Sequence, residues 1–232
     1  MLSPGLLLLA DSRLPAGGHA HSGGAERVIA AGAVHDVPSL ERFLRGRLHT
    51  AGVPAAALAA AARAAAVDES PGWELLDEEA DARTASPAQR AASRTQGRLL
   101  LRVARRVWPA EALEELARRT PSPHHPVALG VAAYAAGATA GEAALAAAYH
   151  AVSGPATAAV RLLGLDPVAV HALLAALGPD LAAVAERAHP PGPHPPGSRP
   201  PGSWAELPAC SAPALDLLAE QHARAEVRLF VS

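Results

Sequence analysis

Long alanine-rich segments constrain the fold of this chain more than any other feature. Residues 51–67 and 127–152 are apolar almost throughout, and single charges at Arg63 and Glu142 interrupt them. Alanine is the best helix-forming residue, whereas strands favour β-branched and aromatic side chains, and aromatic residues make up only 3% of the chain. The sequence therefore predicts an all-α protein: a single-domain bundle of about ten helices that pack closely through small side chains.

The density of proline and glycine divides the chain into consecutive segments. We predict a helical body over residues 1–188 and a Pro/Gly-rich linker over residues 189–208, because proline and glycine at this density do not build a packed core. We expect this linker to be poorly ordered. Residues 209–232 are predicted to form a C-terminal helix, over 212–230, and a tail that belong to the same domain.

Charge and composition exclude several classes of function. The formal net charge is −2 and all 20 basic residues are arginine, so nucleic acid is not an expected partner and a P-loop lysine is absent. Cys210 is the only cysteine, which excludes an intrachain disulfide and a multi-cysteine zinc site. The N-terminus lacks the basic region of a signal peptide, and the apolar segments are too weakly hydrophobic to span a bilayer. We therefore expect a soluble, cytoplasmic protein without membrane contact.

Residues 14–26, here called the glycine turn, place four glycines beside polar side chains between two apolar segments. Glycine permits backbone shapes that a side chain would block. One interpretation is local: Ser22 caps the following helix, and Glu26 lies near the positive end of its dipole. A second is a metal or catalytic site that uses His19, His21 and Glu26. The third, which we favour, is a shaped contact surface for a partner.

An arginine stripe runs along a long helix predicted over residues 87–108. Because a helix turns about 100° per residue, arginines at every fourth position share one slowly drifting face. They are Arg90, Arg94, Arg98, Arg102 and Arg106. Such a stripe is either a solvated face or a docking edge, since guanidinium groups bind carboxylates in a two-pronged geometry.

Gln96 and Gly97 lie inside the same predicted helix. Glycine in a helix interior costs about 1 kcal/mol relative to alanine. We therefore expect another backbone to pack closely against Gly97.

Histidines elsewhere in the chain have structural interpretations. His124 and His125 are neighbours, and adjacent helical side chains point about 100° apart, so they suit an entry loop better than a metal site. His222 falls on the apolar side of the predicted C-terminal helix, where we expect a hydrogen-bonded core histidine.

Four motifs, in order along the chain, resemble those of the urease accessory protein UreF family. They are Asp11-Ser12-Arg13-Leu14-Pro15-Ala16-Gly17 continuing through His21-Ser22 to Gly24 and Glu26; Arg90-Ala91-Ala92-Ser93 with Gln96-Gly97-Arg98; His125-Pro126-Val127-Ala128-Leu129-Gly130 with Arg161-Leu162; and Asp216 through Gln221-His222 to Arg228-Leu229-Phe230 and Ser232. The chain departs from the family at His19 and Gly23, where aromatic residues are usual, and at Ala25, where leucine is usual. These departures remove apolar contact from the glycine turn.

The resemblance implies an all-helical protein that is not an enzyme and that forms a homodimer. Such a protein bridges UreD, also called UreH, and the GTPase UreG. The complex handles nickel and inserts it into the urease apoprotein in a GTP-dependent step, and the UreF component regulates GTP hydrolysis by UreG. No stably bound cofactor is implied for the UreF chain itself.

We expect partner or dimer surfaces in the glycine turn and on the face formed by residues 90–102. Residues 228–232, here called the tail, are expected to take part in docking UreD. The candidate partner-binding residues are His21, Ser22, Glu26, Arg94, Gln96, Gly97, Arg98, Arg228, Leu229 and Phe230. The alternative is a helical metalloprotein or metallohydrolase that uses His19, His21 and Glu26.

Overall fold

The computed structural model describes residues 3–188, 203–225 and 229–230 of the chain. Within these residues the regular structure is helical and no strand is present, so the predicted all-α class is confirmed. The α-helices are α1 (Pro4–Ala10), α2 (Ala25–Ala30), α3 (Val37–Arg47), α4 (Val53–Ala65), α5 (Trp73–Ala82), α6 (Pro87–Val107), α7 (Glu111–Arg119), α8 (His125–Ala135), α9 (Ala140–Leu163), α10 (Pro167–Ala176), α11 (Gly178–Ala188) and α12 (Pro213–Ala223). A π-helical turn, Leu48–Gly52, joins α3 to α4, and short 3-10 helices lie at Gly18–Ala20 and Ser203–Glu206.

Helices α4, α8 and α9 pack together at the centre of the bundle. Their contact faces consist largely of alanine, and Ala59, Ala132 and Ala148 are completely buried. At Gly130 a side chain would overlap the backbone of α4 and lie 2.9 Å from the backbone nitrogen of Arg63. Small side chains thus let the central helices approach until their backbones touch, as the alanine-rich sequence predicts.

Side chains near the helix ends fix where several helices begin. Asp36 precedes α3 and its carboxylate accepts a hydrogen bond from the Ser39 amide at 2.8 Å. Thr139 and Glu142 form a reciprocal capping box at the start of α9. These bonds satisfy amides that have no partner within the helix.

Proline at position 155 leaves α9 intact. The sequence Ser153-Gly154-Pro155 predicts a kink or a restart, and a restart is wrong because α9 continues through this point to Leu163. Proline has no amide hydrogen, so the carbonyl of Ala151, four residues earlier, loses its helical partner. Arg47 replaces that partner, because its Nε donates a hydrogen bond to the Ala151 carbonyl at 2.9 Å.

The C-terminal region differs in detail from the sequence-based expectation. Helix α12 ends at Ala223 rather than at residue 230, and Leu229 and Phe230 are not helical. Trp204 and Leu207, which lie within the predicted linker, are buried in the core. Residues 189–202 of that linker lie outside the described residues.

Arg83 explains why these residues pack onto the body. Its guanidinium donates hydrogen bonds to the carbonyl oxygens of Trp204, Leu207 and Pro208, at distances of 2.8–3.1 Å. One side chain of the body therefore holds several backbone groups at the start of the C-terminal segment.

The helices of the described part of the chain were compared with the length and hydropathy of a membrane span. No helix there is by itself long and apolar enough to cross a bilayer, and α10 and α11 meet the length and composition test only as a pair bent by 45°.

Candidate interaction surfaces

The glycine turn has the specified shape that its composition indicates. Gly17, Gly23 and Gly24 have φ angles of 77°, 58° and 91°, a region that residues with a side chain rarely adopt. A side chain at Gly17 would also lie 2.8 Å from the methyl group of Leu99 on α6. The glycines therefore allow the backbone conformation of the turn, and Gly17 also allows the turn to approach α6 closely.

The side chains of His21 and Ser22 point into the protein rather than outward. His21 is 6% exposed and Ser22 is 0% exposed. Burial, with a smaller effect of the charge on His19, lowers the pKa of His21 to about 4, so the imidazole is neutral at pH 7. The Ser22 hydroxyl accepts a long hydrogen bond from the Glu26 amide at 3.4 Å, but the N-cap residue of α2 is Gly24 rather than Ser22.

Glu26 connects the glycine turn to the tail. Its carboxylate accepts hydrogen bonds from the backbone amides of Leu229 and Phe230, at 2.9 and 3.1 Å. Both segments were predicted to contact partners, and the structure places them side by side. Arg228, the third tail residue with a predicted role, lies outside the described residues.

Phe230 anchors the tail in a small apolar site. The ring packs in a cluster with Ala25 of α2 and Ala158 of α9, and Phe230 is 6% exposed. The guanidinium of Arg161 lies 5.0 Å from the ring centroid, in cation–π geometry. His222 Nε2 lies 3.1 Å from the Phe230 carbonyl oxygen, which confirms the expected hydrogen-bonded core histidine. In contrast, Leu229 is 73% exposed.

Arg94 is engaged within the protein. Its guanidinium donates to Asp77 at 2.7 Å, to Asp81 at 2.6 Å and to the Ser122 carbonyl at 2.9 Å. Burial opposes the charge, but the hydrogen bonds to the two carboxylates outweigh it and raise the pKa of the guanidinium. In this state the two-pronged geometry that was expected to hold a partner instead ties α6 to α5.

His124 extends the same network into the core. Its amide donates to Asp77 at 2.7 Å, and its Nε2 hydrogen-bonds Asp81 at 2.9 Å. On the other side of the ring, Ser93 Oγ lies 3.0 Å from Nδ1. Sequence reasoning missed this network, although the spacing of Asp77 and Asp81 by four residues places both carboxylates on one helix face.

Gly97 and Gln96 have separate roles. A Cβ atom at Gly97 would overlap the carbonyl oxygen of Pro123 and lie 2.9 Å from the carbonyl carbon of His124, which confirms the expected close packing of a backbone. Gln96 lines a cavity of about 580 Å³ between α6 and α12. Gly97 therefore packs against the backbone of its own chain, at Pro123 and His124.

The arginine stripe divides into an engaged half and an exposed half. Arg90 donates to the carbonyl oxygens of Thr84 and Ala85, at 2.7 and 3.0 Å, and Arg94 joins the network above. The remaining members, Arg98, Arg102 and Arg106, are exposed to solvent. Among the arginines of the stripe, those in the C-terminal half of α6 are therefore the ones that are free to meet a partner.

The alternative metal site gains no support from the geometry. Across the residues described here, no group of three or more histidine, cysteine, aspartate or glutamate side chains is placed to hold a metal ion. Of the three residues that this hypothesis uses, His21 is buried and Glu26 binds the tail amides.

Comparisons with known proteins agree on one family. A family model described as UreF matches residues 34–178. The chain is 45% identical over 231 residues to the urease accessory protein UreF of Mycobacterium sp. strain JLS, with 98% of this chain and 97% of the relative covered. It is 44% identical to the protein of the same name from Mycolicibacterium vanbaalenii and 42% identical to that from Mycobacterium tuberculosis, with the same coverage. This chain belongs to the UreF family of urease accessory proteins.

Proposed function

We propose that this chain is a non-enzymatic scaffold that bridges UreD and the GTPase UreG during urease maturation. In this proposal the assembled complex inserts nickel, its cargo, into the urease apoprotein with hydrolysis of GTP by UreG. The scaffold acts in the cytoplasm as a homodimer and regulates that hydrolysis. The observation that carries the proposal is similarity to named urease accessory proteins over 98% of the chain.

The geometry of the glycine turn and the tail supports a bridging role. Glu26 bonds the tail amides directly, so a protein that binds the tail also contacts or releases the turn. The exposed leucine of the tail and the exposed arginines of α6 offer chemically different surfaces, one apolar and one cationic. We assign the apolar surface at Leu229 to UreD and the cationic surface at Arg98 to an acidic face of UreG.

Reconstitution tests the proposal as a whole. Urease apoprotein, nickel, GTP, UreD and UreG are combined with and without this chain, and urease activity, nickel content and phosphate release are measured. We expect nickel insertion to require the chain and GTP together. Full nickel insertion without the chain would overturn the proposal, as would turnover of a substrate by the isolated chain.

Capture experiments test the two surface assignments. We expect Leu229→Asp to weaken the binding of UreD, and Leu217→Asp, at a comparably exposed leucine of α12, to leave it unchanged. We expect Arg98→Glu to weaken the binding of UreG, and Arg42→Glu, at an exposed arginine of α3, to leave it unchanged. Equal effects of each variant and its control would contradict the assignment. Sedimentation of the purified chain tests the homodimer.

A further inference from the structure

The cavity of about 580 Å³ lies between α12 and the body of the bundle, and its wall includes residues of α4, α6, α9 and the start of α8. Its volume falls within the range of about 300–1,000 Å³ that is typical of small-molecule sites. Alanine and leucine form the largest group of lining side chains, including Ala55, Leu58, Ala92, Leu215 and Leu218. A cavity with such a wall favours a ligand with an apolar body.

Arg47 supplies an uncompensated positive charge to this wall. Its Nε donates to the Ala151 carbonyl, but neither Nη atom has a hydrogen-bond partner or a carboxylate within 4.0 Å among the residues that the structure describes. Burial lowers the pKa of the guanidinium to about 10, so the charge persists at pH 7. A charged group that is partly removed from water without an opposite charge gains from an anionic ligand.

The absence of a side chain at Gly23 leaves the guanidinium uncovered on one side. A Cβ atom there would lie 3.2 Å from Nη2 of Arg47. The φ angle of 58° favours glycine at this position, so the opening beside the guanidinium is part of the glycine turn of this chain.

Arg83, His125 and His150, which also line the cavity, do not compete for the role of Arg47. Arg83 is bonded to Glu79 and to carbonyl oxygens of the C-terminal segment. His125 and His150 stay neutral at pH 7, because burial lowers the pKa of both, and that of His125 to about 3. The carboxylate of Asp216 accepts a hydrogen bond from Gln89 at 3.1 Å.

We propose that this cavity binds a small monocarboxylate with an apolar body, with its carboxylate on the Nη atoms of Arg47 and its hydrocarbon against the alanine and leucine wall. Guanidinium groups bind carboxylates through paired, charge-assisted hydrogen bonds. The site is independent of the bridging function, and it lies on the inner side of the segment that leads to the tail.

Calorimetric titration of the full chain with octanoate, below its micelle concentration, tests the proposal. We expect one octanoate per chain, and binding of 1-octanol that is weaker by about 10- to 100-fold, because the alcohol lacks the charge that Arg47 recognises. Equal binding of the acid and the alcohol, or no binding of octanoate, would overturn the proposal.

Substitutions separate the charge from the cavity. Arg47→Gln is expected to weaken octanoate binding by about 10- to 100-fold, and Arg42→Gln, on the same helix but exposed, to leave it unchanged. Ala92→Leu retains Arg47 and is expected to weaken octanoate binding, because the larger side chain occupies part of the cavity. A melting curve checks that each variant folds. If Arg47→Gln does not fold, octanoate binding is measured with Arg47→Lys and Ala92→Leu instead. Octanoate binding that is unchanged both by the loss of the guanidinium and by the narrowed cavity would contradict the assignment.

Discussion

The Glu26 carboxylate receives the amide of Phe230, although 204 residues separate the two positions along the chain. The Leu229 amide reaches the same carboxylate, and the Phe230 ring packs beside the residue that precedes Glu26. The first and the last motif of the chain therefore form one continuous surface. Any protein that binds either motif changes the surroundings of the other.

Removal of the Glu26 carboxylate is expected to release the tail. In Glu26→Ala, the amides of Leu229 and Phe230 lose their acceptor, and each such bond to a charged group contributes about 1.5–3 kcal/mol. We expect hydrogen exchange at these amides to rise at least about tenfold while the core amides stay protected. Glu41→Ala, which removes an exposed carboxylate of α3, serves as the control and is expected to leave the tail unchanged. Unchanged tail protection in Glu26→Ala would contradict the role of Glu26.

Two helical glycines are expected to respond in opposite directions to alanine. Gly97→Ala forces a methyl group against the backbone at Pro123 and His124, and such overpacking typically costs about 1–3 kcal/mol. Gly46 lies in α3 with open space around it, so Gly46→Ala is expected to stabilise the protein by up to about 1 kcal/mol through helix propensity. Urea denaturation measures both changes. Stabilisation by Gly97→Ala would show that the close approach of the two backbones is not required.

The hydrogen bond from Arg47 to Ala151 is expected to depend on Pro155. In Pro155→Ala, the new amide hydrogen restores the helical bond to the Ala151 carbonyl. Arg47→Met is then expected to cost about 1 kcal/mol less in the Pro155→Ala background than in the native one. A double-mutant cycle based on chemical denaturation measures this difference. Additive effects of the two substitutions would mean that Arg47 does not compensate for the proline.

Acid is expected to destabilise the fold through buried histidines. Burial, together with the charges of His150 and His21, lowers the pKa of His125 from 6.5 to about 3. The unfolded chain therefore binds more protons than the native one between these values, so the free energy of unfolding falls as pH drops from about 6.5 towards 3. In His125→Asn this slope is expected to decrease by up to about 1.4 kcal/mol per pH unit. His171→Asn, at an exposed position of α10, is expected to retain the native slope.

Predictions about backbone conformation and packing were confirmed where the feature was local, and the predicted binding surfaces stay predictions. The glycines at positions 17, 23 and 24 have the positive φ angles that their residue type indicates. Gly97 has the close backbone neighbour that was expected from the free-energy cost of glycine inside a helix. The docking role of Arg94 stays a prediction, and in this state its guanidinium is bonded to Asp77 and Asp81. The spacing of arginines along α6 fixes which residues share a face, but not which of them meets a carboxylate from another helix.

The sequence by itself determined the helical class, most helix starts and the shape of the glycine turn, because propensity, capping and glycine conformation act within a few residues. The alanine content also predicted close helix packing, because a methyl side chain keeps two packed helices only a short distance apart. Only the tertiary structure decided that Glu26 holds the tail, that Arg47 replaces the bond lost at Pro155, and that a cavity remains beneath α12. These contacts join residues more than 100 positions apart, and they depend on how the whole bundle packs rather than on any local pattern.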